Sequence, residues 1–111
     1  MLFGLLPGTL DVLVLKALSE SPNHGYGVAR WVRKATAGEL VVEDGALYTA
    51  LHRLERRGML RADWKPSDTN RRAKYYALTA KGRRVLDEQT RAWRRSAAAL
   101  SRVLNRAPRN A

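Results

Sequence analysis

"GALYTALHRLERRGML", residues 45–60, is the stretch on which the reading of this 111-residue chain turns. Leu47, Ala50, Leu51 and Leu54 recur at three- and four-residue steps, the spacing that gathers side chains on one face of an α-helix. Thr49, His52, Arg53 and Arg56 lie opposite, with Tyr48 on the flank. Gly58 is placed to end the helix as a C-terminal glycine cap. One face is built to be buried against a body, and the other is built for hydrogen bonding to a partner.

Upstream, "TLDVLVLKALSE" (Thr9 to Glu20) sets Leu10, Leu13, Val14, Ala17 and Leu18 on one face, and Val12 and Leu15 widen it. That pattern predicts a central amphipathic helix. Ser21 to Asn23 stop it and can cap a second helix over His24 to Thr36, whose stripe is Val28, Trp31, Val32 and Ala35. Gly25 and Gly27 weaken that helix's first turn, and close backbone approach to a neighbour explains them more simply than a ligand does. Between the second and third helices, Ala37 to Gly45 hold a turn and three β-compatible residues, Leu40 to Val42.

Downstream, the period falls from 3.6 to 2. Leu60, Ala62 and Trp64 alternate with Arg61, Asp63 and Lys65, turn residues follow from Pro66 to Arg72, and Ala73 to Thr79 return. These residues predict a two-stranded hairpin with a positive tip. Thr79 then caps a long helix over Ala80 to Leu104. On it Leu86, Trp93 and Leu100 are spaced by seven, with Gln89, Ala97, Val103 and Leu104 between, a heptad-like stripe suited to a partner helix.

Composition narrows the partner. The chain has 21 Lys+Arg against 10 Asp+Glu, a formal charge of +11 and a pI near 11.1. Such an excess attracts polyanions, nucleic acid first and an anionic membrane surface second. No cysteine is present, so disulfides, thiol nucleophiles and Cys-based zinc sites are excluded. "MLFGLLPGTLDVLVL" is apolar but lacks a basic leader segment and is broken by Pro7, Gly8 and Asp11. No run reaches the ~20 apolar residues of a membrane span, and a cytoplasmic protein without a membrane partner is expected.

Three helices, a hairpin and a long helix are the parts of a mainly α winged helix-turn-helix: residues 1–79 as DNA-binding domain, 80–104 as dimerisation helix, 105–111 as tail. In that geometry the third helix lies in the major groove of double-stranded DNA. Thr49, His52 and Arg53 would then face base edges, Tyr48 and Arg56 phosphates, and the wing residues Arg71, Arg72 and Lys74 the backbone or a minor groove. A charged helix face by itself means no more than solvation. Here it joins the net charge, the hairpin and the two buttressing helices.

The segments "LLPGTLDVLVLKAL", "HGYGVA", "VEDGALYTALHRLERRGML" and "RRAKYYALTAKGRR", with the late helix carrying Trp93, resemble the PadR family of transcriptional regulators over nearly the whole chain. The resemblance, to the short form with a single C-terminal helix, implies a homodimeric repressor on a pseudo-palindromic operator. It places Tyr48, His52 and Arg53 on the recognition helix, Lys74 and Tyr75 on the wing, and Trp93 at the dimer centre. It also implies, in some members, release by an aromatic small molecule. Where the family usually has proline after the "LY" pair this chain has Thr49, which alters the base-facing side.

For Trp93 three readings stand: packing in a dimer interface formed by Leu86, Gln89, Trp93, Ala97, Leu100 and Leu104, a platform on which a flat aromatic ligand stacks, or packing against its own body. An enzyme is not expected. His24 and His52 are the only histidines, and Asp11, Glu20, Glu39, Glu43 and Asp44 form no metal-ligand pattern, so no catalytic residue, cofactor or metal is assigned. Glu43 and Asp44 instead favour a helix N-terminus. The competing function is a non-specific, nucleoid-type DNA-coating protein, with an RNA or anionic-surface adaptor behind it.

Overall fold

The structure, a computed structural model, describes residues 8–109. The start of the expected 1–79 domain (residues 1–7) and the last two tail residues lie outside the described residues. The elements are α1 (Thr9–Glu20), β1 (Asn23–His24), α2 (Gly25–Ala35), α3 (Asp44–Arg56), β2 (Leu60–Pro66), β3 (Arg72–Leu78) and α4 (Ala80–Leu104). The mainly α architecture with a small β-wing and a long C-terminal helix is as expected.

The wing differs in one strand. The sheet is antiparallel in the order β1-β3-β2, so the expected two-stranded hairpin is a three-stranded sheet. Asn23 pairs with Tyr76 and His24 with Tyr75 on the edge of β3 that β2 leaves free. These two residues also start α2. Asn23 Oδ1 accepts the His24 N–H at 2.9 Å, and His24 Nδ1 accepts the Gly27 N–H at 3.0 Å. The cap of α2 is therefore His24, not Ser21 to Asn23. Leu40 to Val42 form no strand. Ala37 and Gly38 take positive φ after α2, and buried Val42 pins the loop to the core.

α1 is the central element, touching α2, α3, α4 and β3. Its Val14, Leu15 and Leu18 meet Val28 and Val32 of α2, Leu47, Leu51 and Leu54 of α3, and Leu60 and Tyr76 of the sheet in one apolar cluster. Ala35, expected in the α2 stripe, is exposed, and Trp31 only half-covered. α3 ends at the predicted glycine: Gly58 has φ 79°, its N–H donates to Glu55 O at 3.0 Å, and the Met59 N–H donates to Leu54 O at 2.9 Å. Both bonds satisfy carbonyls that the last helical turn leaves open.

The same corner launches α4. Thr79 Oγ1 accepts the Gly82 N–H at 3.0 Å and donates to Gly58 O at 2.7 Å, tying the two helix ends together. Gly82 is buried against the Met59 carbonyl, where a Cβ would overlap the oxygen. Leu86, one turn on, belongs to the core cluster. The first two turns of α4 are thus part of the winged body, which extends past Thr79. The remaining turns project and stretch the molecule to 63 × 28 × 21 Å.

Candidate nucleic-acid interface

The apolar face of α3 is fully used. Leu47, Ala50, Leu51 and Leu54 are buried, which fixes the helix about its own axis and turns Tyr48, Thr49, His52 and Arg56 to solvent. Tyr48 lies across the start of α2: a Cβ at Gly25 would stand 2.8 Å from its Cε1 atom. The absence of a side chain at Gly25 lets the Tyr48 ring sit at the α2–α3 junction, which is the close approach read from the sequence.

Arg53 departs from the expectation. Its Nη2 donates to the Asp11 carboxylate of α1, and both side chains are about three-quarters covered. The crossing of α1 and α3 brings together groups 42 residues apart, which no local pattern announces. Arg53 braces the helix against the body, while Thr49 and His52 keep the outward positions.

The wing is fastened to α3 in a similar way. Lys74 Nζ donates to Glu55 Oε1 at 3.0 Å and stands 5.4 Å from the Tyr76 ring centroid. The hydrogen bond to Glu55 holds the Lys74 pKa above its ordinary value against the opposing effect of burial. Burial holds the Tyr76 hydroxyl above its ordinary value, with the nearby ammonium acting in the other direction. Lys74 is thus a strut between wing and helix as well as a cation. Arg71 and Arg72 stay exposed at the tip. The turn between them and β2 is closed by Ser67 N–H to Arg71 O at 2.7 Å.

Tyr75 sits between two aromatic or cationic neighbours. The His24 ring meets it edge-on at 5.1 Å, and Lys65 Nζ lies 4.6 Å from its centroid. Three residues absent from the sequence reading of the interface, Tyr26, Arg30 and Trp64, lie beside Tyr48 and His52. Tyr26 is exposed on the first turn of α2 beside His24, with Arg30 5.7 Å from its ring centroid. Their spacing, aromatic then Arg four residues on, was the available signal. Trp64 is exposed because β2 runs past the core beyond Ala62, so strict alternation no longer means an inner face.

An open groove of about 900 Å³ between α2, α3 and the wing has Tyr26, Arg30, Tyr48, His52, Trp64 and Arg72 on its walls. Of the expected site residues, Thr49, Arg53, Arg56 and Tyr75 lie outside that lining, Thr49 and Arg56 on the exposed face of α3. No cluster of His, Asp or Glu that could hold a metal occurs among the described residues. Nor is any described helix long and apolar enough to cross a membrane.

The second candidate surface is α4. Leu86, expected at a dimer interface, is buried in the protomer's own core. Further along, Ala97 is half-covered and Gln89 exposed. Trp93 is 50 % exposed, Leu100 55 %, Val103 66 % and Leu104 79 %, an apolar row left open along the projecting turns. A cleft of about 500 Å³ between α1 and α4 is lined by Val12, Leu13, Leu86, Thr90, Trp93 and neighbouring charged residues.

Comparison with known proteins agrees with this architecture. A PadR family transcriptional regulator from Eggerthella lenta is 31 % identical, with a TM-score of 0.76 over 90 % of this chain and 85 % of that one. A PadR family transcription regulator from Clostridium difficile is 28 % identical, with a TM-score of 0.76 over 88 % of this chain and all of that one. A Streptococcus mutans protein shares the fold across 99 % of this chain and all of its own, at 23 % identity and a TM-score of 0.81. The model of the transcriptional regulator PadR-like family matches residues 14–88, from the middle of α1 through the first turns of α4. By that match the chain belongs to the PadR-like family, whose members are transcriptional regulators and not enzymes.

Proposed function

We propose that this regulator is a cytoplasmic, sequence-specific DNA-binding repressor. It acts as a homodimer on a pseudo-palindromic operator. The observation that carries the reading is the orientation of α3: its leucines are buried and its Thr49, His52 and Arg56 face outward beside a basic wing. Thr49 and His52 read base edges in the major groove, and Tyr48, Arg56, Arg71, Arg72 and Tyr75 engage sugar and phosphate. Lys74 contributes charge on β3 of the wing, and Arg53 orients α3 through Asp11.

The open row of Trp93, Ala97, Leu100 and Leu104 on α4 supports pairing with a second copy, flanked by Gln89. An isolated, solvated row of this size favours burial against another apolar surface. A flat aromatic effector stacks on Trp93 at the mouth of the α1–α4 cleft and, by shifting α4, changes the distance between the two recognition helices. Trp93→Ala removes both the stacking surface and the response to such a compound.

The test is competition between duplex from upstream of the protein's own gene and random duplex of equal length, at two salt concentrations. A regulator prefers its site by ~10³-fold or more, and the preference outlasts the salt-sensitive background. Equal affinity for both, collapsing with salt, supports the nucleoid-type coating role instead.

A further inference from the structure

The positive charge of the chain is not where the recognition helix is. Residues 1–79 hold twelve Lys+Arg against eight Asp+Glu, a net of +4, while residues 80–111 hold nine against two, a net of +7. Within α4, Arg84, Arg91, Arg95 and Arg102 fall at steps of seven, four and seven residues. At 3.6 residues per turn these four lie within about 40° of one another and span roughly 27 Å of helix. By helical position they lie opposite Leu86, Trp93, Ala97, Leu100 and Leu104, with Arg91 also reaching the edge of the α1–α4 cleft. All four are exposed, and none has an ion pair among the described residues.

We infer that this arginine row is a second binding surface for duplex DNA, separate from the α3–wing face and indifferent to sequence. If the apolar row is covered by a partner helix, as proposed above, the arginines point away from that partner. The buried leucines of α3 face the core cluster that also takes Leu86 of α4, so the exposed face of α3 is turned away from the start of α4. A duplex seated on α3 therefore leaves the arginine row free for another segment. A straight row of roughly 27 Å spans about eight base pairs at 3.4 Å per pair of phosphates. Guanidinium groups also suit phosphate oxygens, which they engage through paired N–H donors. A helix that lies on a membrane buries there the Trp, Phe and Leu of the face opposite its basic residues. On α4 that face is the row of Trp93, Leu100 and Leu104, which the partner helix covers in the proposed dimer, and this favours the duplex over an anionic bilayer.

The consequence is bridging: one assembly holds a specific segment on α3 and gathers a second segment on α4. The experiment uses the full chain with two random 30-base-pair duplexes carrying different fluorophores, and reads their joint diffusion by cross-correlation. The wild type joins the two colours at 50 mM salt, and four phosphate contacts imply a loss of about 100-fold in association by 200 mM. The quadruple variant Arg84→Gln, Arg91→Gln, Arg95→Gln, Arg102→Gln keeps helix propensity. It loses the joining by ~10-fold or more and still binds a single duplex. Joining that persists in this variant, or is absent from the wild type, overturns the inference. So does loss of single-duplex binding with helicity intact, which would place both surfaces on one segment. Capture by phosphatidylserine vesicles without joining of duplexes assigns the row to membranes and overturns it as well. The α3 variant Thr49→Ala, His52→Ala reports separately on the proposed function, since it abolishes site preference without removing the arginine row.

Discussion

His52 and Arg53 are neighbours in sequence with different work. His52 is exposed on the outward face of α3, and His52→Ala is expected to relax preference at one or two base pairs at a cost of about 1–3 kcal/mol. Arg53 is held by Asp11, so Arg53→Ala and Asp11→Asn should each disturb the seating of α3 and weaken all sites together. A double-mutant cycle on that partly exposed pair should give a coupling of roughly 0.2–1 kcal/mol. Measured preference across single-base-pair variants of a bound site separates the two patterns. Lys74 and Tyr76 make an alkaline prediction. Both have folded-state pKa values raised above their ordinary ones, so the stability they contribute is complete below about pH 10 and is lost as pH rises through the folded values. Denaturation between pH 9 and 11 should show this loss, and Tyr76→Phe should remove a phenol that ionises above its ordinary range from the absorbance titration.

At the scale of elements, the joint between α3, the wing and α4 depends on small residues. Gly82→Ala forces a methyl group into the Met59 carbonyl, a backbone atom that cannot step aside. It should destabilise the fold by about 1–3 kcal/mol in denaturant titration. Thr79→Ala removes both the cap on α4 and the bond to Gly58, at an expected cost of about 0.5–2 kcal/mol. Gly25→Ala should instead leave stability nearly intact and displace the half-exposed Tyr48 ring, so its effect should appear in DNA affinity. Much of this scale was legible beforehand because its causes are local. The leucine spacing of α3, the glycine at 58 and the threonine cap at 79 are each decided within a few residues. β1 was not legible: two residues, Asn23 and His24, become a strand only because the edge of β3 lies beside them. Arg53 and Lys74 were assigned to DNA from their places on the helix face and the wing, while their acidic partners stand 42 and 19 residues away. Trp64 alternates correctly but lies beyond the core that would have covered it.

The whole molecule is a body with an arm. The body holds its own core, including Leu86, and the arm carries an apolar row on one face and arginines on the other. Dimerisation through that row predicts that Leu100→Arg with Leu104→Arg gives a monomer of unchanged helicity in sedimentation. Operator affinity should then fall steeply, since two half-sites no longer bind as one. Net charge points to a polyanion without locating it: residues 80–111 hold +7 of the +11, and Lys81, Arg83 and Arg84 among them belong to the body.

The central claim is that α3 and the wing read sequence, and selection of bound duplexes from a random pool tests it most directly. The wild type is expected to enrich an inverted repeat whose half-sites lie about 34 Å apart, or a multiple of that, with the pattern lost in the Thr49→Ala, His52→Ala variant. Recovery of no common motif, or of the same motif by that variant, would contradict the account.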